Sequence, residues 1–186
     1  MKTFFLLSVV ALLPVILSAL IYLAERTKAV RKLPYAVRQL LIGVLFGGLA
    51  ILGTEFGIKT DGAIINARDA SPICAGLLFG APAGIIAGLI GGVERWFAVL
   101  WGAGQYTRLA CSISTVLAGV FAAGLRKFMF DNKKPKWYYC LATATITEVI
   151  HMLMIFLTNM TDARTAFSFV RTCSLPMIAV NSLAVM

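Results

Sequence analysis

The chain consists of successive apolar runs of about 20 residues, each long enough to cross the roughly 30 Å hydrocarbon core of a bilayer. Of its 186 residues, 60% are hydrophobic and only 13% are charged, whereas soluble domains carry about 25% charged residues. Too few polar residues remain to cover a soluble core. The chain is therefore predicted to be all-α, a polytopic membrane helix bundle.

Positive charge is concentrated in two loops, and this pattern predicts the sidedness. Residues 24–38 and 126–137 each carry five basic residues and one acid, whereas residues 59–71 and 159–168 each sum to zero. The positive-inside rule assigns the two basic loops to the cytoplasm. We therefore predict a multi-pass protein that interacts with membrane lipid, with its N-terminus outside and its C-terminus cytoplasmic. Because no soluble face is left for the +9 net charge, nucleic acid is excluded as a partner.

The same charges assign the apolar runs to spans. Residues 3–23 resemble a signal peptide, but the run is longer than a typical apolar core and no small-residue cleavage site follows. We therefore predict a retained first span. Further spans are predicted over residues 36–58, 109–126, 137–158 and 166–186.

Residues 70–101 must begin and end on the outer side, which predicts a broken or re-entrant helical hairpin rich in glycine. Its pieces are expected at about 72–80 and 82–100, and a full span plus a tilted half-helix is the alternative. Irregular backbone at membrane depth is tolerated only inside protein or beside water. A seam of small residues, which favours close helix packing, recurs every fourth residue: Gly80, Gly84, Gly88 and Gly92.

Two arginines bracket this hairpin and raise the question of function. A cation at membrane depth costs roughly 2.5–3.5 kcal/mol on insertion scales, so it usually has a partner or a role. In one interpretation Arg68 and Arg95 are interfacial, reaching water beside Asp69 and Glu94. In the other they form an anion site.

Local features favour the anion site. Ser71 is a candidate N-cap with Pro72 at the first helical position, and a helix N-terminus favours an anion. Two guanidinium groups can grip a carboxylate, and Asn66 could add an amide. The ligand-binding candidates from this segment are therefore Arg68, Arg95, Asn66 and Ser71.

The next span offers a thiol and a hydroxyl. Cys111, Ser114 and Ala118 share a face by their spacing, while Ser112 and Thr115 are expected to point elsewhere. The pair of Cys111 and Ser114 could bind a carbonyl group, or Ser114 could bond back to its own helix.

A second polar pair lies in the span over 137–158. Glu148 and His151 share a helical face, but a di-iron site needs two such motifs and the chain has one histidine. No metal and no cofactor are therefore predicted. Asn181 is expected to bond across helices, and these three residues are secondary site candidates. Because no catalytic motif is found, we predict that this region is not an enzyme.

Four fragments, in order, resemble the LytS/YhcK-type five-transmembrane receptor domain of bacterial sensor proteins. They are "GAIINAR" (62–68), "AGLLFGAPAGIIAGLIGGVER" (75–95), "GAGQYTRLACSISTVLAGVFAAGL" (102–125) and "PMIAVNS" (176–182). The resemblance covers residues 34–186, and residues 1–33 form a first span with its basic loop. A longer turn, "VLWGAGQYTR", stands where the family has a compact Gly-Gly turn.

This resemblance implies a function as well as a fold. Family members are sensory input modules of the bacterial plasma membrane, joined to a histidine kinase or a cyclic-di-GMP output domain that would follow residue 186. Members recognise small carboxylates such as pyruvate through positions that correspond to Arg68, Arg95, Cys111 and Ser114. A homodimer through the output domain is expected by the same analogy. The alternative is a substrate-binding membrane subunit of a vitamin or metabolite transporter.

Overall fold

The computed structural model describes residues 2–60, 63–102 and 104–186. Gly62 and Ala103, which belong to the fragments quoted above, lie outside the described residues. The long helices have the following bounds: α1 (Lys2–Ala24), α3 (Tyr35–Glu55), α5 (Ala81–Phe97), α6 (Arg108–Gly124), α7 (Trp137–Thr158) and α8 (Ala163–Val185). The prediction of a polytopic helix bundle is confirmed, because α3, α5, α6, α7 and α8, with short terminal extensions, are long and apolar enough to cross a membrane.

Short elements extend and connect these helices. Helix α5 continues as a 3-10 turn (Ala98–Leu100), α6 as a π-helical turn (Leu125–Met129), and α8 is preceded by a 3-10 turn (Met160–Asp162). The first basic loop contains the single-turn helix α2 (Lys28–Arg31).

A two-stranded antiparallel hairpin follows α3, a feature that the sequence did not predict. Strands β1 (Ile58–Thr60) and β2 (Ala63–Ile65) pair with Ile58 opposite Ile65. The predicted span over 36–58 therefore ends early, at Glu55. We call this end of the bundle the hairpin side and the end that carries the two basic loops the basic side.

The broken hairpin is one half-helix and one full span. Helix α4 (Ala70–Cys74) continues as a π-helical turn (Ala75–Phe79), after which the chain reverses at Gly80. Ten residues rise about 15 Å, half of a bilayer core, whereas the helix over 81–100 is long enough to span. Of the two arrangements left open by the sequence, the structure has the full span plus a half-helix.

The reversal is held by a side chain from α3. Gly80 has φ +152°, a conformation that favours glycine. Gln39 Nε2 donates to the carbonyl oxygen of Phe79 at 3.0 Å, and the amide of Ala83 donates to Gln39 Oε1 at 3.2 Å. A guanidinium nitrogen of Arg126 donates to the carbonyl oxygen of Leu77. The end of the half-helix is therefore clamped near the basic side.

The glycine seam packs α5 against α6, as its spacing predicts. A β-carbon at Gly84 would lie 2.5 Å from the α-carbon of Gly76 and 3.2 Å from the carbonyl oxygen of Gly119. One at Gly88 would lie 3.0 Å from the carbonyl oxygen of Thr115. Only glycine allows these backbones to approach so closely.

We expect Gly84→Leu to destabilise the bundle by at least the roughly 1–3 kcal/mol typical of overpacking, because backbone cannot move aside as a side chain can. Gly48→Leu in α3 is the matched control, since a β-carbon there has nothing within 4 Å. Thermal unfolding in detergent measures both. Equal melting temperatures for the two variants would contradict this packing.

Candidate ligand-binding site

A cluster of buried polar side chains lies inside the bundle toward the hairpin side, where the chain passes from β2 into the half-helix. We call it the polar centre, and its members are Arg68, Asp69, Arg95, Cys111, Thr115, Glu148 and His151. Each of these residues is at most 3% exposed. Because buried charge is costly unless it is paired, the pairing within the cluster decides what it can do.

Arg68 uses every nitrogen of its guanidinium group. Nε donates to Thr115 Oγ1 at 2.7 Å and lies 3.3 Å from Asp69 Oδ1. Nη1 donates to Thr54 Oγ1 at 3.3 Å, and Nη2 donates to the carbonyl oxygen of Cys111 at 3.4 Å. Arg68 therefore ties α3 to α6.

Asp69 is the junction of the cluster. Thr115 Oγ1 donates to Asp69 Oδ1 at 2.6 Å, and His151 Nδ1 lies 2.8 Å from Asp69 Oδ2. Burial opposes ionisation, but the guanidinium of Arg68 and the imidazole of His151 outweigh it and hold the pKa of the Asp69 carboxyl below its usual range. Asp69 is thus a carboxylate that joins α6 to α7.

His151 connects this carboxylate to the thiol of Cys111. His151 Nε2 lies 3.3 Å from Cys111 Sγ, and Glu148 Oε2 lies 3.8 Å from His151 Nδ1. Both carboxyl oxygens of Glu148 are buried without a hydrogen-bond partner among the described residues. The two secondary candidates from α7 therefore lie beside Cys111 and Asp69.

The guanidinium group of Arg95 is only partly hydrogen-bonded. Its Nη2 donates to the carbonyl oxygen of Gly104 at 2.6 Å and to Thr107 Oγ1 at 3.4 Å. Its Nε and Nη1 are buried and have no hydrogen-bond partner within the described ranges. Thr107 lies one helical turn before Cys111, whose carbonyl oxygen accepts from Arg68. Arg95 therefore presents open donors to the interior of the bundle.

The interfacial interpretation of the two arginines is wrong. An arginine that reaches water at the membrane surface keeps its guanidinium exposed, whereas both Arg68 and Arg95 are 0% exposed within the protein. Asp69 is a counter-charge of Arg68, as that interpretation expected, but it is buried with it.

The predicted N-cap of the half-helix is also wrong. The helix begins at Ala70, with Asp69 at the N-cap position and Pro72 third rather than first. Asn181 Oδ1 accepts from the amide of Ala70 at 2.9 Å, so a side chain from α8 supplies the cap. The hydroxyl of Ser71 is buried and has no partner in the part of the chain that the structure describes.

Asn66 orders the turn that leads to Arg68. Its Nδ2 donates to the carbonyl oxygen of Ile64 at 2.9 Å, and its Oδ1 accepts from the amide of Arg68 at 3.1 Å. Asn181 Nδ2 donates to the carbonyl oxygen of Asn66 at 3.1 Å, so Asn181 bonds across elements as predicted. Ligand contacts of Asn66, Ser71 and Asn181 stay predictions.

Along α6 the hydroxyl beside Cys111 that reaches the polar centre belongs to Thr115. Thr115 was expected to point elsewhere, but residues four apart are neighbours on a helix, which makes Thr115 the partner of Cys111. Ser114 instead lines an apolar cavity of about 220 Å³ between α6 and α7, with Thr147 and Ile150 among its walls. Its hydroxyl has no partner among the described residues, and its ligand role stays a prediction.

Three further contacts were missed by the sequence analysis. Thr54 and Thr107 are ordinary helix-end residues in sequence, with no motif to mark them. Gly104, whose carbonyl accepts from Arg95, has φ +89° and lies in the turn "VLWGAGQYTR". A glycine in such a turn signals unusual backbone but no specific contact.

Asp69, Glu148 and His151 also form a group that could hold a metal ion. Each offers one ligand atom, and these atoms lie within 4.8 Å of one another. The prediction that no metal binds rests on motif spacing along the sequence and could not include Asp69 from a distant segment. It remains a prediction.

The fold and this site define a membrane-embedded receptor domain: a multi-pass helix bundle that encloses a charged polar centre. A family model described as "5TMR of 5TMR-LYT" matches residues 21–186. The chain therefore belongs to the LytS-type family of five-transmembrane receptor domains, and this region is a sensory domain rather than a catalytic one. The family favours the receptor interpretation over the transporter subunit.

Curated proteins to which the chain is similar are named as sensor proteins. The chain is 25% identical over 169 residues to sensor histidine kinase YpdA of Escherichia coli, covering 90% of this chain and 29% of the relative. It is 27% identical over 147 residues to sensor histidine kinase BtsS of the same organism, covering 77% and 25%. It is 31% identical over 146 residues to sensor protein LytS of Bacillus cereus, covering 75% and 23%.

The chain thus spans less than a third of the length of these relatives. No solved structure matches it significantly.

We expect Asp69→Asn to lower the free energy of unfolding by roughly 3–5 kcal/mol, because Arg68 would be left buried without its counter-charge. Asp131→Asn is the matched control, since Asp131 is exposed on the basic side. Thermal unfolding of purified protein in detergent compares the two. An Asp69→Asn variant that melts with the wild type would show that Asp69 is not the junction of the cluster.

Proposed function

We propose that the domain binds a small carboxylate such as pyruvate at Arg95 and relays its occupancy to a cytoplasmic output domain. The observation that carries this proposal is the guanidinium group of Arg95, which is fully buried and has two nitrogens without a partner among the described residues. A ligand carboxylate would supply the missing acceptors and a negative charge.

The two arginines have different roles in this proposal. Arg68 already donates from all three nitrogens, so it holds the framework and contributes positive charge. Arg95 supplies the hydrogen bonds. Charge-assisted hydrogen bonds from a buried guanidinium are worth more than neutral ones, and a carboxylate is the acceptor that a guanidinium matches best.

The surroundings of Arg95 support the same ligand class. Cys111, which lies one helical turn after Thr107, a partner of Arg95, is the residue that the family resemblance assigns to the ligand, together with Ser114. Relatives that carry this domain are sensor histidine kinases, which supports a kinase output and a homodimer formed through it; a cyclic-di-GMP output is the other form expected from the resemblance.

We further propose the predicted orientation, with the hairpin side outside and the basic side in the cytoplasm. The division at residue 33 also stays a proposal, since the family match begins earlier, at residue 21. In this orientation the polar centre lies nearer the outer surface, and a ligand would enter from outside.

The half-helix and α8 are the elements that we expect to relay binding. Asp69 joins the start of the half-helix to the polar centre, and Asn181 holds that start to α8. Helix α8 runs from the hairpin side to the basic side, where an output domain would follow. A ligand can shift such an arrangement only if it binds one state more tightly than the other.

We expect Arg95→Gln to weaken pyruvate binding roughly 10- to 150-fold, because hydrogen bonds to a charged group contribute about 1.5–3 kcal/mol. The measurement is isothermal titration of purified protein in lipid nanodiscs. Arg164→Gln is the matched control, since Arg164 is exposed at the start of α8 on the same side.

Equal affinity of Arg95→Gln and wild type would remove Arg95 from the site. If folded wild-type protein binds neither pyruvate nor other short carboxylates, the proposed ligand class itself is contradicted.

A further inference from the structure

Three side chains of the polar centre are arranged like a nucleophile, its general base and the carboxylate that orients the base. Cys111 Sγ lies 3.3 Å from His151 Nε2, and His151 Nδ1 lies 2.8 Å from Asp69 Oδ2. The order is thiol, imidazole and carboxylate, which is the arrangement that activates a cysteine. The chain has a single histidine, so no other cysteine can have this partner.

The orientation of the Asp69 carboxylate is fixed by a hydrogen bond, and this orientation determines the tautomer of the His151 imidazole. Asp69 Oδ1 accepts from Thr115 Oγ1 at 2.6 Å, which orients Oδ2 toward His151. Since an ionised carboxylate is only an acceptor, His151 Nδ1 carries a proton and donates to it. His151 Nε2 is then free to accept the thiol proton of Cys111.

The other cysteine whose thiol contact is described shows the contrast. Cys74 Sγ donates to the carbonyl oxygen of Ala184 at 3.6 Å, a contact typical of a packed thiol. Cys111 instead faces a base, and its carbonyl oxygen accepts from Arg68. A thiolate formed here would be paired with the imidazolium that His151 becomes when it accepts the thiol proton.

We propose that Cys111 adds reversibly to the carbonyl carbon of a bound 2-oxo acid, so that ligand binding includes a covalent step. This inference rests on the proposed function, because the carboxylate of the ligand must be held by Arg95. The carbonyl carbon next to that carboxylate would then reach the sulfur of Cys111, which lies one helical turn after Thr107, a partner of Arg95.

The addition requires no reagent other than the protein and the ligand. The thiol proton of Cys111 passes to His151 Nε2, and the sulfur forms a bond to the carbonyl carbon of the ligand. The π bond of the carbonyl group breaks, its electron pair moves to oxygen, and this oxygen takes the proton back from His151. The product is a hemithioketal, and the reverse sequence releases the unchanged ligand.

This chemistry suits a receptor. A 2-oxo acid carries no leaving group at the attacked carbon, so addition ends at the adduct and consumes nothing. It also supplies selectivity, because a 2-hydroxy acid of the same size has the carboxylate but no electrophilic carbon. Asp69 and Thr115 act as positioning residues in this step, since they hold the imidazole.

The test is carbon NMR of pyruvate labelled with ¹³C at carbon 2, bound to purified wild-type protein in lipid nanodiscs. We expect the bound signal to leave the carbonyl region and appear in the region of tetrahedral carbons. Lactate labelled at the same carbon is expected to bind at least tenfold more weakly and to show no such change.

Cys111→Ser is expected to abolish the tetrahedral signal, and Cys140→Ser, which removes a buried thiol elsewhere, is expected to keep it. Bound pyruvate that retains its carbonyl signal in the wild-type protein would overturn the covalent step and leave the carboxylate site standing. Absence of pyruvate binding to the wild-type protein would overturn both. The wild-type spectrum decides between these outcomes even if Cys111→Ser fails to fold.

Discussion

The ionised carboxylate of Asp69 is the interaction on which the organisation of this domain depends. It is fully buried, and it contacts an arginine beside it, a threonine of α6 and the histidine of α7. A carboxylate in an apolar interior is stable only when it is paired and hydrogen-bonded. Because each partner comes from a different element, satisfying this one group fixes how the start of the half-helix, α6 and α7 meet.

The surrounding helices make such a centre possible. Glycines on α5 let it approach α6 and the half-helix closely, which excludes lipid from the charges. The half-helix is held at both ends, by Asn181 at its start and by Gln39 at its reversal. An element held in this way begins at the charged cluster and ends near the basic side, so it joins the polar centre to the opposite end of the bundle. Within the described residues, two nitrogens of the Arg95 guanidinium group remain without a hydrogen-bond partner.

Features that depend on local pattern could be predicted from the sequence, and features that depend on distant contacts could not. The spans, the glycine seam and the pair of Glu148 and His151 follow from hydropathy and from helical spacing. Local sequence features left open whether Arg68 and Arg95 are buried or interfacial. The family resemblance was needed to favour burial. The contacts that define the site join residues 46 and 82 positions apart, and Asn181 caps the half-helix from 111 positions away. No local signal marks Thr54, Thr107 or Thr115, so the true cap and the hydroxyl partner of Asp69 were missed.

The most direct measurement is an experimental structure of the domain with pyruvate bound. Our interpretation predicts a ligand carboxylate within about 2.7–2.9 Å of Nε or Nη1 of Arg95, the usual length of a charge-assisted hydrogen bond, while Arg68 keeps its bonds to Thr54 and Thr115. A ligand bound elsewhere, with those two nitrogens of Arg95 satisfied by the protein itself, would contradict it.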